Sequence, residues 1–546
     1  METLVVIPAR GGSKGIPRKN VRLMCGRPLI TYSIVNALNS TFDLDVVVST
    51  DDEEIERIVL TYGIKVIKRP KELALDSVTL DPVIYHAVNM MEKKEGKSYD
   101  IVVTMQPTSP LLKTATLDSA LKYFIDNKFD TVISGINRPE LSWGEIEGKV
   151  VPLYKERLNR QLLPKNMVET GAFFISKREF VKENYRFGPN VSIYEISKDE
   201  SIDIDNRHDW WIAEKELSMK NILIRTDGYS EIGLGHIYRS LVLAFNLIDH
   251  NVRFVLSNKS DIGRKKIDDN HFPYDIIKDN VEIGRLIKKY KCDILVNDIL
   301  DTKKDYIKYC KSLGIRVVNF EDLGTGAVWA DAVINDLYSK QNDYENHYWG
   351  SQYYCIRDEF LLAEPAKFNK EVKEVLIIFG GTDPCNLTYR LFNIVKSISN
   401  NNIHYTFILG MGYKNGDELY STVNKLNLNI EIVKDVKLMT EYMKRADIAV
   451  SSQGRTMLEL ASMAVPTILL AQNEREQDHE YGYLKNGFIN LGLGNKVEDQ
   501  TIRETLIWLI NSPQIRRQMK DEMLKKDFKK GVQRVINIIL GRGELT

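Results

Sequence analysis

The sequence predicts an α/β protein: a Rossmann-like domain at the N-terminus, followed by two further α/β halves that form a two-lobed module. Three observations carry this. Short apolar runs rich in Val and Ile alternate along the chain with longer amphipathic segments, the pattern of βαβ units whose parallel sheets are covered on both faces. Two such runs start afresh after charged stretches, Asn221–Arg225 behind a polar helical segment and Val375–Phe379 behind 365–374. The third is length: 546 residues leave room for three or four cores at about 150 residues per domain.

Taken in order, the strand segments of the first domain are Leu4–Ile7, Asp45–Ser49, Ile101–Met105 and Thr131–Ser134. The second half contributes Ile222–Ile224, Val252–Leu256, Ile294–Asn297 and Val317–Phe320, and the third Val375–Phe379, Tyr405–Leu409 and Ile448–Ser451. The boundaries give domains 1–217, 220–366 and 372–546. Ligands of parallel sheets gather outside the carboxyl ends of the strands, so the loops that follow these runs hold the candidate chemistry.

Composition narrows the function. Lys plus Arg number 75 and Asp plus Glu 75, for a formal net charge of +0. Nucleic-acid and anionic-membrane binders need a basic excess that this chain lacks, while a basic pocket for one small anion remains open. No run reaches the ~18 apolar residues that span a bilayer. The opening Met1-Glu2-Thr3-Leu4 has neither a basic n-region nor a long apolar stretch. Five cysteines, at 25, 292, 310, 355 and 385, make no CxxC pair, so neither a zinc site nor a disulfide framework is indicated. The expectation is a cytoplasmic protein with small-molecule partners.

The first strand runs into Arg10-Gly11-Gly12-Ser13-Lys14-Gly15-Ile16-Pro17-Arg18-Lys19. Glycines let backbone N–H groups approach phosphate oxygens, and four cations in ten residues offset several negative charges. The pattern is neither GxxxxGK[ST] nor GxGxxG. Further loops carry Ser49-Thr50-Asp51-Asp52, Arg69-Pro70 and Gln106-Pro107-Thr108-Ser109. At Ile202-Asp203-Ile204-Asp205 acidic and apolar residues alternate. On a strand end this period puts both carboxylates on one face, a fit for Mg²⁺ bridging phosphates; as an exposed strand they are only solvated acids.

In the second half, Ile232-Gly233-Leu234-Gly235-His236 follows a strand, with Tyr238 where a dinucleotide fingerprint would have its third glycine. A histidine at a glycine-rich helix start can approach a ligand, and the helix dipole favours its neutral form. Arg239 lies one turn on, placed to hold an anion or orient a sugar ring. In the third, Phe379-Gly380-Gly381-Thr382 offers a diphosphate cradle, and Gln453-Gly454-Arg455-Thr456 opens a helix toward a pyrophosphate. Glu459, one turn later, can accept from ribose hydroxyls or be an ordinary first-turn acid.

Residues 1 to about 217 resemble the acylneuraminate cytidylyltransferases (CMP-sialic acid synthetases). The motifs are IPARGGSKGIPRKN at 7–20, STDDEEI at 49–55, Arg69-Pro70 with Leu73-Ala74 and Asp76, QPTSPL at 106–111, Arg160-Gln161 with Pro164, and IDID at 202–205. The resemblance implies a nucleotidyltransferase in which Arg10, Gly11, Gly12, Ser13, Lys14, Lys19, Arg69 and Gln106 contact CTP, Arg10 and Lys19 acting in catalysis. It makes Asp203 and Asp205 the Mg²⁺ ligands and a homodimer the expected assembly. Glu169-Thr170-Gly171-Ala172 stands where the family has Asn-Gly-Ala, which points to a sugar acid other than plain N-acetylneuraminate.

Residues 221 to about 500 resemble the UDP-sugar hydrolase of the pseudaminic acid pathway, a GT-B-like relative of the lipid II-forming N-acetylglucosaminyltransferase. Here the motifs are Arg225-Thr226-Asp227-Gly228, GLGHIYRS at 233–240, Asn297-Asp298 with Leu300-Asp301, ADAVIND at 330–336, Arg357-Asp358-Glu359-Phe360, FGGTDP at 379–384, SQGRTMLELASMAVP at 452–466 and QNEREQ at 472–477. This implies His236 as base for a water, with no cofactor, and a UDP-sugar held by Gly235, Arg239, Gly380, Gly381, Gly454, Thr456 and Glu459. Two rivals make this half a glycosyltransferase or a non-catalytic UDP-sugar-binding module.

Overall fold

The structure is a computed structural model that describes residues 1–13, 15–229, 232–398, 402–423, 429–434 and 436–542. It divides into two compact units, residues 1–219 and 220–546. Among the described residues no helix is long and apolar enough to cross a membrane.

The first unit is built on a seven-stranded sheet in the order Val191–Glu195, Thr131–Asn137, Met167–Lys177, Ile101–Met105, Thr3–Pro8, Asp45–Thr50 and Lys65–Lys68. Alternation decides what each strand buries: Val5 and Ile7 join one core with Ile34, Leu117 and Phe124, while Leu4 and Val6 join Ile84 and Val88 on the other face. The sheet is mixed rather than parallel throughout. Met167–Lys177 runs antiparallel to both its neighbours, and its register with Thr131–Asn137 shifts between Glu169 and Phe174. The irregularity holds Gly171 at φ 71°, a left-handed conformation that glycine adopts at little cost. The acidic and glycine residues there break the β-pattern, which is why the strand escapes a reading by periodicity.

The second unit holds two parallel sheets. The first has the order Tyr274–Ile277, Asn251–Ser257, Asn221–Thr226, Ile294–Asp298, Arg316–Phe320, Ala332–Asn335, His347–Trp349. The second has the order Ile430–Lys434, His404–Leu409, Glu374–Ile378, Ile448–Ser451, Thr467–Ala471, Phe488–Leu493. In both, the strand order reverses beside the first strand, between Asn221–Thr226 and Ile294–Asp298 and between Glu374–Ile378 and Ile448–Ser451. Each switch point opens a crevice at the carboxyl ends where ligands bind.

One helix leaves the lobe that its sequence position assigns to it. Gly531–Leu540 does not complete a lobe of residues 372–546; its Val532, Val535, Ile538 and Ile539 join Ile222, Leu243 and Val318 in the core of the first lobe. Arg316 Nη2 and Nε cap the helix by donating to the Ile538 and Ile539 carbonyls at 2.9 and 3.1 Å. Entry is tight, since a Cβ on Gly531 would lie 2.1 Å from the Tyr354 carbonyl oxygen. Gly531→Ala should therefore lower the unfolding free energy of the second unit by about 1–3 kcal/mol, the usual cost of overpacking. Denaturant unfolding should show the first unit's transition unchanged.

Candidate active sites

In the first unit the loop after Thr3–Pro8 is fastened by acids from neighbouring strand ends. Arg10 Nη2 pairs with Asp76 Oδ1 at 2.8 Å, the Gly11 N–H donates to Asp51 Oδ1 at 3.1 Å, and Arg18 pairs with Asp52 at 2.8 Å. Close approach demands glycine twice: a Cβ would lie 2.4 Å from Asp52 Oδ2 at Gly11 and 2.1 Å from the Asp205 carbonyl at Gly15. Gly12 has open space beside it, and Lys14 lies outside the described residues. Lys19 donates to the Ile204 carbonyl and stands 3.7 Å from Asp205 Oδ1. Burial pulls its ammonium down, against the raising pull of Asp205 and Asp203. Arg69 is buried, donating to Ser49 Oγ at 3.3 Å and the Ser49 carbonyl at 2.7 Å. Burial brings its pKa to about 10.

The acidic pair does not sit on a strand. Residues 201–205 form an extended connection between the short helical turn Lys198–Glu200 and the helix Arg207–Ser218. A capping box of Asn206 and Asp209 starts that helix. The Ile204 N–H donates to the Thr108 carbonyl at 2.9 Å, which ties the segment to the loop after Ile101–Met105. Gln106 and Asp203 both border Gly171 there: a Cβ on that glycine would lie 2.9 Å from Gln106 Nε2 and 3.2 Å from Asp203 Oδ2. Lys19, Gln106, Gly171, Asp203 and Asp205 thus converge at the carboxyl edge of the sheet.

Asp203 fits a cation. Its Oδ1 is buried without a hydrogen-bond partner. Burial raises its carboxyl above the usual range and Asp205 adds to this, against the Thr108 hydroxyl and Lys19. A hard divalent ion would relieve both effects. Among the described residues no group of three or more His, Cys, Asp or Glu is arranged to hold a metal ion, so phosphate oxygens and water would supply the remaining ligands.

In the first lobe of the second unit, the helix Gly235–Asn246 starts just past the crevice and buries His236. His236 Nδ1 lies 2.6 Å from Oδ1 of Asp298, the last residue of the strand on the other side of the switch point. Arg239 does not face a ligand. Its side chain is wholly buried, with Nε 2.8 Å from Asp298 Oδ2, Nη1 3.2 Å from Asp336 Oδ1, and further bonds to Asp298 and Glu321. The expected anion contact is therefore corrected: Nε and Nη1 are committed to Asp298, Glu321 and Asp336, and Nη2 is held inside the protein between Asp298 and His236, away from any substrate. Burial alone would raise the Asp298 carboxyl, but Arg239 and then His236 hold it down at about 2. Glu321 is held well below the carboxylate range by the same two residues and Arg455.

The second lobe faces this cluster. Gly380 adopts φ 76° beside open space. Gly381 packs instead on the first lobe, a Cβ there falling 3.3 Å from Leu234 Cβ. A Cβ on Gly235 would meet Arg455 Cδ at 3.2 Å, and one on Gly454 would meet Glu476 Oε1 at 3.1 Å. Half-buried Thr456 opens the helix Thr456–Ser462. Glu459 does not stand alone: Arg357 Nε donates to its Oε1 at 2.8 Å, so ribose hydroxyls would share that carboxylate.

Reading by motif left several members of the second site without a role. Asp298 belongs to the Asn297-Asp298 motif, and its signal is an acid ending a strand at the switch point. Glu321 and Asp336 follow the ends of the next two strands. Arg455 crosses to them, its Nη1 3.0 Å from Asp336 Oδ2 and 3.2 Å from Glu321 Oε1. Arg475 reaches the Tyr338 hydroxyl at 2.8 Å and Asp301 at 3.0 Å.

Two family models match the chain, Cytidylyltransferase over residues 4–184 and Glycosyltransferase family 28 C-terminal domain over 375–535. An uncharacterised Methanocaldococcus jannaschii protein is 33% identical over 48% of this chain, which spans only 58% of that relative's length. A Helicobacter pylori protein described as pseudaminic acid cytidylyltransferase and UDP-2,4-diacetamido-2,4,6-trideoxy-beta-L-altropyranose hydrolase is 26% identical, the match covering 94% of this chain and 97% of that one. The pseudaminic acid cytidylyltransferase of Campylobacter jejuni is 36% identical over 222 residues, 95% of its length and 39% of this chain. Through its first unit, the chain belongs to the cytidylyltransferase family.

Proposed function

We propose that the chain is a bifunctional enzyme of nonulosonic acid biosynthesis. Its first unit joins CTP to a nonulosonic acid, giving the CMP-sugar and pyrophosphate. Its second unit hydrolyses a UDP-2,4-diacetamido-2,4,6-trideoxyhexose to the free sugar and UDP. The observation that carries the first activity is the convergence of Lys19, Gln106, Asp203 and Asp205 at one sheet edge. For the second it is the His236–Asp298 pair at the switch point. The pairing of two activities in one chain rests on the Helicobacter pylori relative, matched over 94% of this chain.

In the first reaction the anomeric hydroxyl of the sugar acid loses its proton to solvent water as its oxygen bonds to the α-phosphorus of CTP. The α-phosphorus–oxygen bond to the β-phosphate breaks, with the electron pair leaving on pyrophosphate. Arg10 and Lys19 bind and neutralise the triphosphate as charge shifts to the leaving pyrophosphate. Arg69 and Gln106 orient the nucleotide and sugar. Asp203 and Asp205 would hold Mg²⁺, which supplies charge neutralisation on the phosphate oxygens. In this family reading the active form is a homodimer.

In the second reaction water gives a proton to His236 Nε2 as its oxygen bonds to the anomeric carbon, and the C–O bond to UDP breaks with the electron pair leaving on the diphosphate. Gly380, Gly454 and Thr456 hold that diphosphate from the other lobe. A second reading has support of its own, since the family 28 model covers 375–535: the same base can activate a sugar hydroxyl. UDP release from UDP-sugar alone favours hydrolysis. Release only with an added sugar acceptor establishes transfer.

Two sets of variants test these assignments. Asp203→Asn with Asp205→Asn should abolish Mg²⁺-dependent pyrophosphate release and leave UDP release at the level of the unaltered protein; retained pyrophosphate release would remove the metal assignment. His236→Ala should cut UDP release about 10²–10⁴-fold, the usual contribution of a positioned acid–base group. CTP consumption should not change. UDP release close to normal would make His236 a packing residue.

A further inference from the structure

We propose that Asp298 is a positioning residue that fixes the tautomer of His236, and that the buried cluster behind it is charged to receive an imidazolium. The inference rests on the hydrolase reading and adds residues that act through His236 without touching substrate.

Only one proton arrangement suits the geometry. His236 Nδ1 lies 2.6 Å from Asp298 Oδ1 and 3.3 Å from Arg239 Nη2. A lone pair on Nδ1 would face a carboxylate anion at that shorter distance and be repelled. Nδ1 therefore carries the hydrogen and donates it to Asp298, which leaves the lone pair on Nε2 as the base. Asp298 cannot swing away, because Arg239 grips both its oxygens and the Ser240 hydroxyl lies 3.3 Å from Oδ2. Arg239 rests on the face of Phe320, 4.7 Å from the ring centre.

The charges of the cluster favour the imidazolium. Three carboxylates, Asp298, Glu321 and Asp336, face two guanidiniums, Arg239 and Arg455. With neutral imidazole the cluster carries one negative charge in excess; with imidazolium it is balanced. Glu476, whose carboxyl burial raises to about 7 with Asp383 and Glu321 adding to the shift, is counted in its protonated form. Arg475 is paired with Asp301, burial pulls His479 toward its neutral form, and burial pushes the Tyr338 and Tyr354 hydroxyls up, away from ionisation. The site is preorganised for the charge that appears on His236 when water gives up its proton, so the electrostatic work is done before the reaction starts. Asp298 stays an anion throughout and takes no proton itself.

Three measurements on the full chain test this. Nitrogen-15 spectra of the imidazoles in the unaltered protein, with His236 identified by its loss in His236→Asn, should show hydrogen on Nδ1 near pH 8. Hydrogen on Nε2 would overturn the proposal without any substitution at Asp298. Asp298→Asn turns an amide donor toward Nδ1. It should move the hydrogen to Nε2 and lower kcat for UDP release about 10²–10⁴-fold, with KM and CTP-dependent pyrophosphate release within about threefold. The acid limb of kcat/KM should move to lower pH in whatever activity remains, because the imidazolium has lost a counter-charge. Should Asp298→Asn fail to fold, Asp298→Glu keeps the acceptor, and recovery of more than a tenth of the activity with hydrogen still on Nδ1 supports the assignment. If His236→Ala keeps its activity, the hydrolase base itself is wrong. If His236→Ala is inactive while folded Asp298→Asn releases UDP within threefold of normal, only this proposal falls.

Discussion

The second unit depends on one buried guanidinium. Arg239 has no side-chain exposure and faces carboxylates contributed by Asp298, Glu321 and Asp336, at or just past the ends of three successive strands of one sheet. Charges taken out of water cost several kcal/mol each unless geometry and hydrogen bonds compensate. Here the compensation is mutual and leaves little slack. Three strand ends are held at fixed separations because each must reach the same side chain. Removing Arg239 alone would strand three buried carboxylates, whereas replacing the whole cluster by packed apolar residues would stabilise the fold comparably, so the retained charges point to function rather than stability.

Arg455 extends this logic across the cleft. It comes from the loop that opens the helix Thr456–Ser462 in the second lobe, yet its charge is satisfied by Glu321 and Asp336 of the first. The lobes therefore meet through ionic contacts beside His236 as well as through the packing of Gly381 on Leu234. A nucleotide bound at Gly454 and Thr456 would lie next to the residue that joins this cluster. On the proposed reading, the lobe that would hold the nucleotide and the lobe that carries His236 are linked through two shared carboxylates, Glu321 and Asp336, each paired with both Arg239 and Arg455.

Much of this architecture is legible in the sequence. The strand segments stand out because parallel strands buried on both faces are continuous runs of Val, Ile and Leu, and Ile448–Ser451 or Ile101–Met105 can be read to the residue. Met167–Lys177 is not legible, since Glu169, Thr170 and Gly171 interrupt its pattern where the chain bends to bring Gly171 against Gln106 and Asp203. The carboxylates at 203 and 205 are legible as a pair but not as a coil segment, because period-two alternation describes a strand and an extended connection equally well. Arg239 was misplaced for a different reason. Its spacing from His236 puts it on the same helix face, and only tertiary structure shows that this face is the interior.

The return of Gly531–Leu540 to the first lobe has a consequence for the order in which the molecule is made. The core around Ile222, Leu243 and Val318 lacks Val535 and Ile539 until the last helix is supplied, about 300 residues after its first strand is synthesised at ordinary rates of several residues per second. The first unit, complete at residue 219, has no such debt to later sequence. On the ribosome the nucleotidyltransferase unit can close its core while most of the second unit is still unmade. The crevice holding His236 must wait as an unfinished sheet, with apolar surface open, until Gly531–Leu540 is made. Chaperone demand during synthesis therefore falls on the second unit, and a ribosome that stops short of the final helix releases a chain with one finished core and one open one.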